Sequence, residues 1–414
     1  MADRSSDVGT GPKRLRTSAR HVVKVGLLGN FGSGNVGNEA SMDAVRTGLE
    51  RIRPDLEFVC LCPRPAAAAA LHGVPALSLR RPRPDEASRT RRHVMRAPRF
   101  VADVARAVGV VRRLDLVAVP GTSILDDFGD GPTGMPYDLA VWTMAARIAR
   151  RPFHFVAVGA GPIQQRASRA LLALAARLAT GRTYRDQGSR DFMASVGLDV
   201  ADDRVVADVV FGVEPPARTI RLDGVEGPVV GLGVMVYRGW ATEHPHAAWL
   251  YSDYLERSAE LIRRLARCGT QIHLLTAEDA DQTAVEGCLD LLDPDTSAAV
   301  TVVPTPRCME ELTRAIADVD VVAAPRFHMV LTSLIVGVPP VSIGYASRNR
   351  DLLDRAGLGT FCHSIESFDP VAVAGDIGQL LRRRHELAPR LDEWSAEQRA
   401  IASNEVHKLA EVLR

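Results

Sequence analysis

Between Lys24 and Ala40 the chain leaves a short apolar run, crosses a turn crowded with glycine and asparagine, and enters a helical stripe marked by Met42, Val45, Leu49 and Ile52. Glycines let a backbone adopt angles that other residues resist and bring it close to a ligand. A helix that starts directly after such a turn aims unpaired N–H groups at the same place, and an anion is their natural guest. The segment therefore predicts both a strand–turn–helix unit and an anion pocket.

Short β-branched runs alternate with helical patterns along most of the sequence, which argues for α/β layers with mainly parallel sheets. Strands are expected at 22–28, 56–61, 114–119, 153–158, 181–184 and 205–207. The pattern pauses at 215–227 and resumes with strands at 229–236, 271–276, 300–303, 319–324 and 341–344, and a helix at 251–267. At 414 residues the chain is too long for one ordinary core. We expect a basic tail at 1–20, a first Rossmann-like domain at 21–214, a linker at 215–227, a second such domain at 228–369, and a helical tail at 370–414, with a cleft between the domains. No internal repeat is evident.

A net charge of +1 argues against a general nucleic-acid binder. No apolar run approaches bilayer length, and the first twenty residues lack the apolar core of a secretory signal. The expectation is a cytoplasmic protein, soluble or peripheral at the inner membrane face. The residues from Arg80 to Arg113 include eleven arginines, read either as a solvated loop or as a patch meeting an anionic membrane surface. The cysteines, Cys60, Cys62, Cys268, Cys288, Cys308 and Cys362, form no C-x-x-C pair and read as buried free thiols.

Gly32-Ser33-Gly34-Asn35-Val36-Gly37 matches the dinucleotide fingerprint G-x-G-x-x-G, but Gly29, Asn30 and Phe31 separate it from the strand. The second strand ends in Cys62-Pro63-Arg64 rather than in a ribose-binding acid; an arginine there suits a phosphorylated ribose, which leaves the dinucleotide reading open as an alternative. Asn38 is the expected helix N-cap, and Asn30 and Asn35 suit left-handed turn angles. A second cluster, Pro325-Arg326-Phe327-His328, follows a buried strand and opens a helix. Arg326 offers a planar fork for phosphate or carboxylate, and His328 a proton near neutral pH. A helix N-terminus disfavours an imidazolium, whereas a bound phosphate would favour one. His154 reads as a core histidine or a second proton carrier. His244 and His246 lack a third ligand, so no metal is entered. Asp126, Asp127 and Asp130 read as turn acids or as holders of acceptor hydroxyls. Glu278 and Asp279 end a strand facing the expected cleft.

Gly29-Asn30-Phe31-Gly32-Ser33-Gly34-Asn35-Val36-Gly37-Asn38-Glu39-Ala40 and Arg326-Phe327-His328 together resemble the polysaccharide pyruvyl transferase family. Gly159-Ala160-Gly161-Pro162, Tyr184-Arg185-Asp186-Gln187-Gly188-Ser189 and Ala207-Asp208-Val209-Val210-Phe211 are similar to further family landmarks in the same order. Asn38 stands where the family usually has aspartate, and Pro120-Gly121-Thr122 where it often has three glycines. The resemblance implies a glycosyltransferase-B-like pair of Rossmann domains. It also implies transfer of the enolpyruvyl carbons of phosphoenolpyruvate onto two hydroxyls of a saccharide, free or lipid-linked, with no cofactor besides that donor. On this reading His328 is the acid and Arg326 a donor clamp. Arg185 is a second clamp from the other domain. Asn30, Gly32, Ser33, Gly34, Asn35, Gly37, Asn38, Gly121 and Thr122 line the substrate site. The alternatives are a nucleotide-sugar glycosyltransferase of the same architecture and a non-catalytic sugar- or lipid-binding protein. Acceptor identity, ketal stereochemistry and oligomeric state lie beyond the residues.

Overall fold

The computed structural model describes residues 22–80, 96–128, 130–216, 227–240 and 244–413. The expected basic tail, and the expected linker apart from 215, 216 and 227, lie outside these. The first sheet holds β1 (Lys24–Leu28), β2 (Glu57–Cys62), β3 (Ala76–Ser78), β4 (Leu116–Pro120), β5 (Phe153–Val158), β6 (Gly181–Tyr184) and β7 (Arg204–Val205), in the order β3-β2-β1-β4-β5-β6-β7. The second holds β8 (Val229–Gly233), β9 (Gln271–Leu275), β10 (Val300–Val302), β11 (Val321–Ala324), β12 (Pro340–Gly344) and β13 (Cys362–Ser364), in the order β10-β9-β8-β11-β12-β13. Every strand pairing is parallel. Helices cover both faces of such sheets, so the central strands are buried on both sides and read as continuous apolar runs. All five residues of β4 and of β8 are buried.

The first sheet is covered by α1 (Val36–Ile52), α2 (Pro65–His72), α3 (Arg96–Val111), α4 (Met135–Ala149), α5 (Arg166–Leu178) and α6 (Gln187–Ser195). The second is flanked by α7 (Ala247–Arg267), α8 (Gln282–Leu289), α9 (Pro294–Ser297), α10 (Met309–Ala317), α11 (Phe327–Ile335) and α12 (Ser347–Arg355). Pro65 follows β2 after two residues. It opens α2, at a helix start where its missing N–H costs nothing. The three-residue strands β3 and β13 carry too few residues for a periodic signal, and β8 ends at Gly233, earlier than expected.

The last helix, α13 (Pro370–Glu411), runs across both halves. Val373, Ile377, Leu380, Leu387 and Leu391 join the core of the second sheet, whereas Val406, Leu409 and Ala410 join Val25, Leu27 and Val45 in the first. Thr183 of β6 donates to Glu405 at 3.0 Å, and Arg204 pairs with the same carboxylate at 2.8 Å. The expected helical tail is thus a strap that closes the end of the chain onto its beginning. Cys60, Cys62 and Cys288 are buried, but Cys268 is exposed, which corrects the uniform reading of buried thiols.

In each sheet the strand order reverses beside its first strand, between β1 and β4 and between β8 and β11. Open α/β sheets bind ligands outside the carboxyl ends of the strands at such switch points. The turn after β1, the Pro120-Gly121-Thr122 segment that ends β4, and the Arg326-Phe327-His328 segment after β11 all lie there. Among the described residues no helix is long and apolar enough to cross a membrane.

Candidate active site

A cleft of about 930 Å³ lies between the two halves, lined by both the glycine–asparagine turn and the arginine–histidine segment. Asn30, Ser33, Asn35, Gly37 and Asn38 line one side, Thr122, Ser123 and Asp126 the floor beside it, and Glu278, Arg326, His328, Tyr345 and Arg348 the other. Gly32, Gly34, Gly121 and Arg185 do not line it.

The turn differs from the anion cradle read from the sequence. The N–H groups of Gly32 and Ser33 donate to the two carboxylate oxygens of Glu39, at 3.2 and 3.1 Å. The pocket's anion is supplied by the chain itself. Glu39 is 2% exposed, and its Oε2 also meets Nε2 of His72 at 2.8 Å. Nδ1 of His72 reaches Asp43 at 3.0 Å. The two acids outweigh burial and push His72 up to about 9. Gly32, at φ +71°, packs so tightly that an added Cβ would fall 2.6 Å from the Arg64 carbonyl at the start of α2. The helix cap also moves: Asn35, not Asn38, is the N-cap, and its side chain accepts from the Asn38 N–H at 3.3 Å. Three more residues, Val36, Gly37 and Asn38, fall within the helix, and Asn38 lines the cleft.

α1 and α11 meet end to end across the cleft. An added Cβ on Gly37 would lie 2.1 Å from Nδ1 of His328, so the imidazole occupies the space that a side chain at 37 would fill. The Val36 N–H donates to the Ala277 carbonyl at 3.2 Å, and Asn35 Nδ2 reaches Glu278 at 3.3 Å. The two segments, nearly three hundred positions apart, therefore converge through backbone and side chains. Among the described residues, His328 Nε2 is buried without a hydrogen-bond partner. Burial, then the charges of Arg185 and Arg348, hold the ring well below the usual imidazole pKa. It is neutral at pH 7 in the free protein.

Arg326 lines the cleft with its fork already engaged. Its Nε and one terminal nitrogen each meet Asp281 at 2.7 Å, and the terminal nitrogen also contacts Glu278. Asp281 is fully buried and Arg326 is raised by these acids against its desolvation. The expected open clamp is an anchored one. Arg185 is likewise corrected. It is 2% exposed, pairs with Asp208 at 2.9 Å, contacts the Ser123 hydroxyl, and stacks its guanidinium 3.9 Å from the Phe327 ring centre. Pairing with Asp208 draws it behind the cleft wall, where it supports the residue before His328. The Ser41 hydroxyl donates to the Gly121 carbonyl at 3.1 Å, while the Thr122 hydroxyl is buried with no partner among the described residues.

The polysaccharide pyruvyl transferase family model matches residues 35–347. The chain belongs to the polysaccharide pyruvyl transferase family. No curated protein matches it. Among solved structures it is similar in fold to UDP-GlcNAc 2-epimerase from Neisseria meningitidis bound to UDP-GlcNAc, at 9% identity and TM-score 0.59, covering 94% of this chain and 99% of that one. HepE from Anabaena in complex with UDP and glucose matches at 15% identity and TM-score 0.59, with the same coverage of 94% and 99%. MurG of Acinetobacter baumannii matches at 16% identity and TM-score 0.54, again over 94% and 99%. The architecture is that of glycosyltransferase-B proteins and epimerases, with two facing α/β domains.

Several pyruvyl transferase landmarks in this chain act as scaffold. Asp186 caps α6 by accepting from the Ser189 N–H at 2.6 Å, and the Ser189 hydroxyl accepts from Ala160 at 2.9 Å. Asp208 caps the short helical turn Val209–Gly212 and pairs with Arg185. Asp127 accepts from the Gln164 and Gln165 N–H groups, and Asp130 from Gly131 and Met135. His154 lies at the amino end of β5, outside the cleft lining, its pKa lowered by burial. His244 and His246 also lie outside that lining. Of the basic stretch, residues 81–95 are not among those described. Arg80 pairs with Asp138, Arg99 with Asp103, and Arg106 donates to the Ser78 and Leu79 carbonyls. The sequence reading passed over Glu39, Asp281 and Arg348. For Glu39 the signal was present: an acid four residues into a helix, after a turn with more N–H groups than partners.

Proposed function

We propose that this pyruvyl transferase family member moves the enolpyruvyl carbons of phosphoenolpyruvate onto two hydroxyls of one saccharide, forming a cyclic ketal. The observation that carries the reading is the His328 imidazole, seated against Gly37 where α1 and α11 meet, with Nε2 unpartnered among the described residues. Two helix N-termini offer N–H groups to an anion there. The bound phosphate raises the pKa of His328 and makes it an acid. His328 then gives its proton to C3 of the donor, whose double-bond pair forms the new C–H bond. A sugar hydroxyl oxygen bonds to C2, a second follows, and the C2–O bond to phosphate breaks with its pair leaving on phosphate. Of the two hydroxyl protons released, one restores His328 and one leaves on hydrogen phosphate. No cofactor enters this balance. Asn30, Ser33, Asn35, Asn38 and Thr122 present amide and hydroxyl groups for the donor or the acceptor. The acceptor is a saccharide, free or lipid-linked, and the protein works in the cytoplasm, with or without contact to the inner membrane face.

The test incubates the purified protein with phosphoenolpyruvate and, separately, with UDP-sugars. The acceptors are 4-nitrophenyl glycosides of galactose, glucose and mannose. Phosphate release with a pyruvyl ketal on the acceptor supports the reading. Sugar transfer from the nucleotide, with no reaction of phosphoenolpyruvate, replaces it with the glycosyltransferase alternative.

A further inference from the structure

Among the described residues that line the cleft, the arginines Arg64, Arg80, Arg326 and Arg348 are outnumbered by Asp126, Asp130, Asp138, Glu278 and Asp279. Arg64 donates to the Ser33 carbonyl at 3.2 Å, whereas the other three are paired with carboxylates and differ in how firmly they are held. Arg80 grips Asp138 at 2.5 and 2.8 Å, and Arg326 grips Asp281 through two bonds of 2.7 Å. Arg348 meets Asp126 only at 3.4 Å and the Tyr345 hydroxyl at 3.3 Å. It is also the loosely held arginine whose charge reaches His328.

We propose that Arg348 and Asp126 form a donor-exchanged pair: an anionic group of phosphoenolpyruvate takes the Arg348 guanidinium, and the released Asp126 carboxylate accepts the proton of the attacking sugar hydroxyl. The inference rests on the phosphoenolpyruvate reading and deepens it.

Asp126 comes from the first half and Arg348 from the second, and each side chain is nearly buried, at 11% and 12% exposed. The junction around them does not depend on their bond. Phe128 stacks on Tyr345 with ring centres 5.1 Å apart and planes 20° apart, and Trp240 packs on Phe128 at 4.9 Å. The aromatic contact holds the halves together while the ion pair changes partner. Burial pushes Asp126 up to about 6, against the opposing pull of Arg348, the Phe128 N–H and Arg185. Loss of Arg348 to the donor removes the main charge holding Asp126 down, and so makes it a stronger base. The proton it takes from the first hydroxyl passes to the departing phosphate, and the second hydroxyl's proton restores His328. The donor thus uncovers the base only when it is itself in place.

The experiment measures phosphoenolpyruvate affinity by titration calorimetry on the full chain, with melting temperature recorded for each variant. Arg348→Ala is expected to weaken Kd by about 10- to 100-fold. Asp126→Asn, nearly isosteric, is expected to tighten Kd several-fold because Arg348 loses its competitor. Transfer to the glycoside acceptors should fall by at least about 100-fold in the same variant. Asp279→Asn removes a carboxylate from the same cleft without being paired to Arg348, and controls for net charge. The exchange is overturned if Asp126→Asn weakens donor binding, tightens it no more than Asp279→Asn, or keeps wild-type transfer. If the wild-type protein neither binds phosphoenolpyruvate nor releases phosphate from it, the functional reading itself fails and the exchange falls with it.

Discussion

Replacing Gly37 by alanine tests whether the two halves build one site. Residue 37 lies in the first turn of α1, where alanine alone would gain up to about 1 kcal/mol of helix propensity over glycine. The new methyl would sit 2.1 Å from Nδ1 and 2.4 Å from Cγ of His328. Ordinary contact begins at 3.4 Å, so the ring or the helix must retreat by about 1.3 Å. Overpacking of this kind costs about 1–3 kcal/mol, which the propensity gain partly offsets. The net loss of stability is then at most about 3 kcal/mol, whereas a shift of about 1 Å in a reacting group can cost on the order of 100-fold in rate. Gly37→Ala should therefore melt close to wild type and lose about two orders of magnitude in kcat for phosphate release from phosphoenolpyruvate. The assay pairs thermal melting with steady-state kinetics. Full activity in a folded Gly37→Ala protein would refute the placement of His328 as the proton donor at this junction.

His328→Gln is expected to abolish turnover while leaving phosphoenolpyruvate affinity within about threefold, since the helix N-termini remain; wild-type turnover in that variant would end the assignment. Arg326→Lys replaces a fork by a point charge against buried Asp281 and should cost about 2 kcal/mol in urea unfolding, with a loss under 0.5 kcal/mol counting against the anchoring role. His72 has a folded pKa of about 9 against 6.5 for the free side chain, so its contribution is complete below pH 6.5 and disappears as pH rises through 9. Discounted for solvent screening, that is about 2 kcal/mol of stability lost between pH 6.5 and 9. Glu39→Gln should flatten this slope, and an unchanged slope would remove Glu39 as the cause.

Much of the architecture was legible because parallel strands buried on both faces announce themselves. The runs at 153–158 and 181–184 coincide with β5 and β6, and the others differ by a few residues at their ends. The short strands β3 and β13 were not legible, since pairing to β2 and β12 rather than their own pattern makes them strands. The candidate site divides in the same way. Chain order and residue type were enough to name Arg326, His328 and the glycine turn as one locus, because each follows a strand that ends at a switch point. They did not determine how the charges pair.

Pairing is a property of distance between segments remote in sequence, and only the tertiary structure fixes those distances. Glu39 enters the turn and fills it, Asp281 reaches across 45 positions to bind Arg326, and Asp208 draws Arg185 out of the cleft. The sequence by itself determined two α/β units with glycines and a histidine at their strand ends. Which cation remains loosely held beside that histidine was decided by the docking of one unit on the other, where burial makes every carboxylate seek the nearest guanidinium.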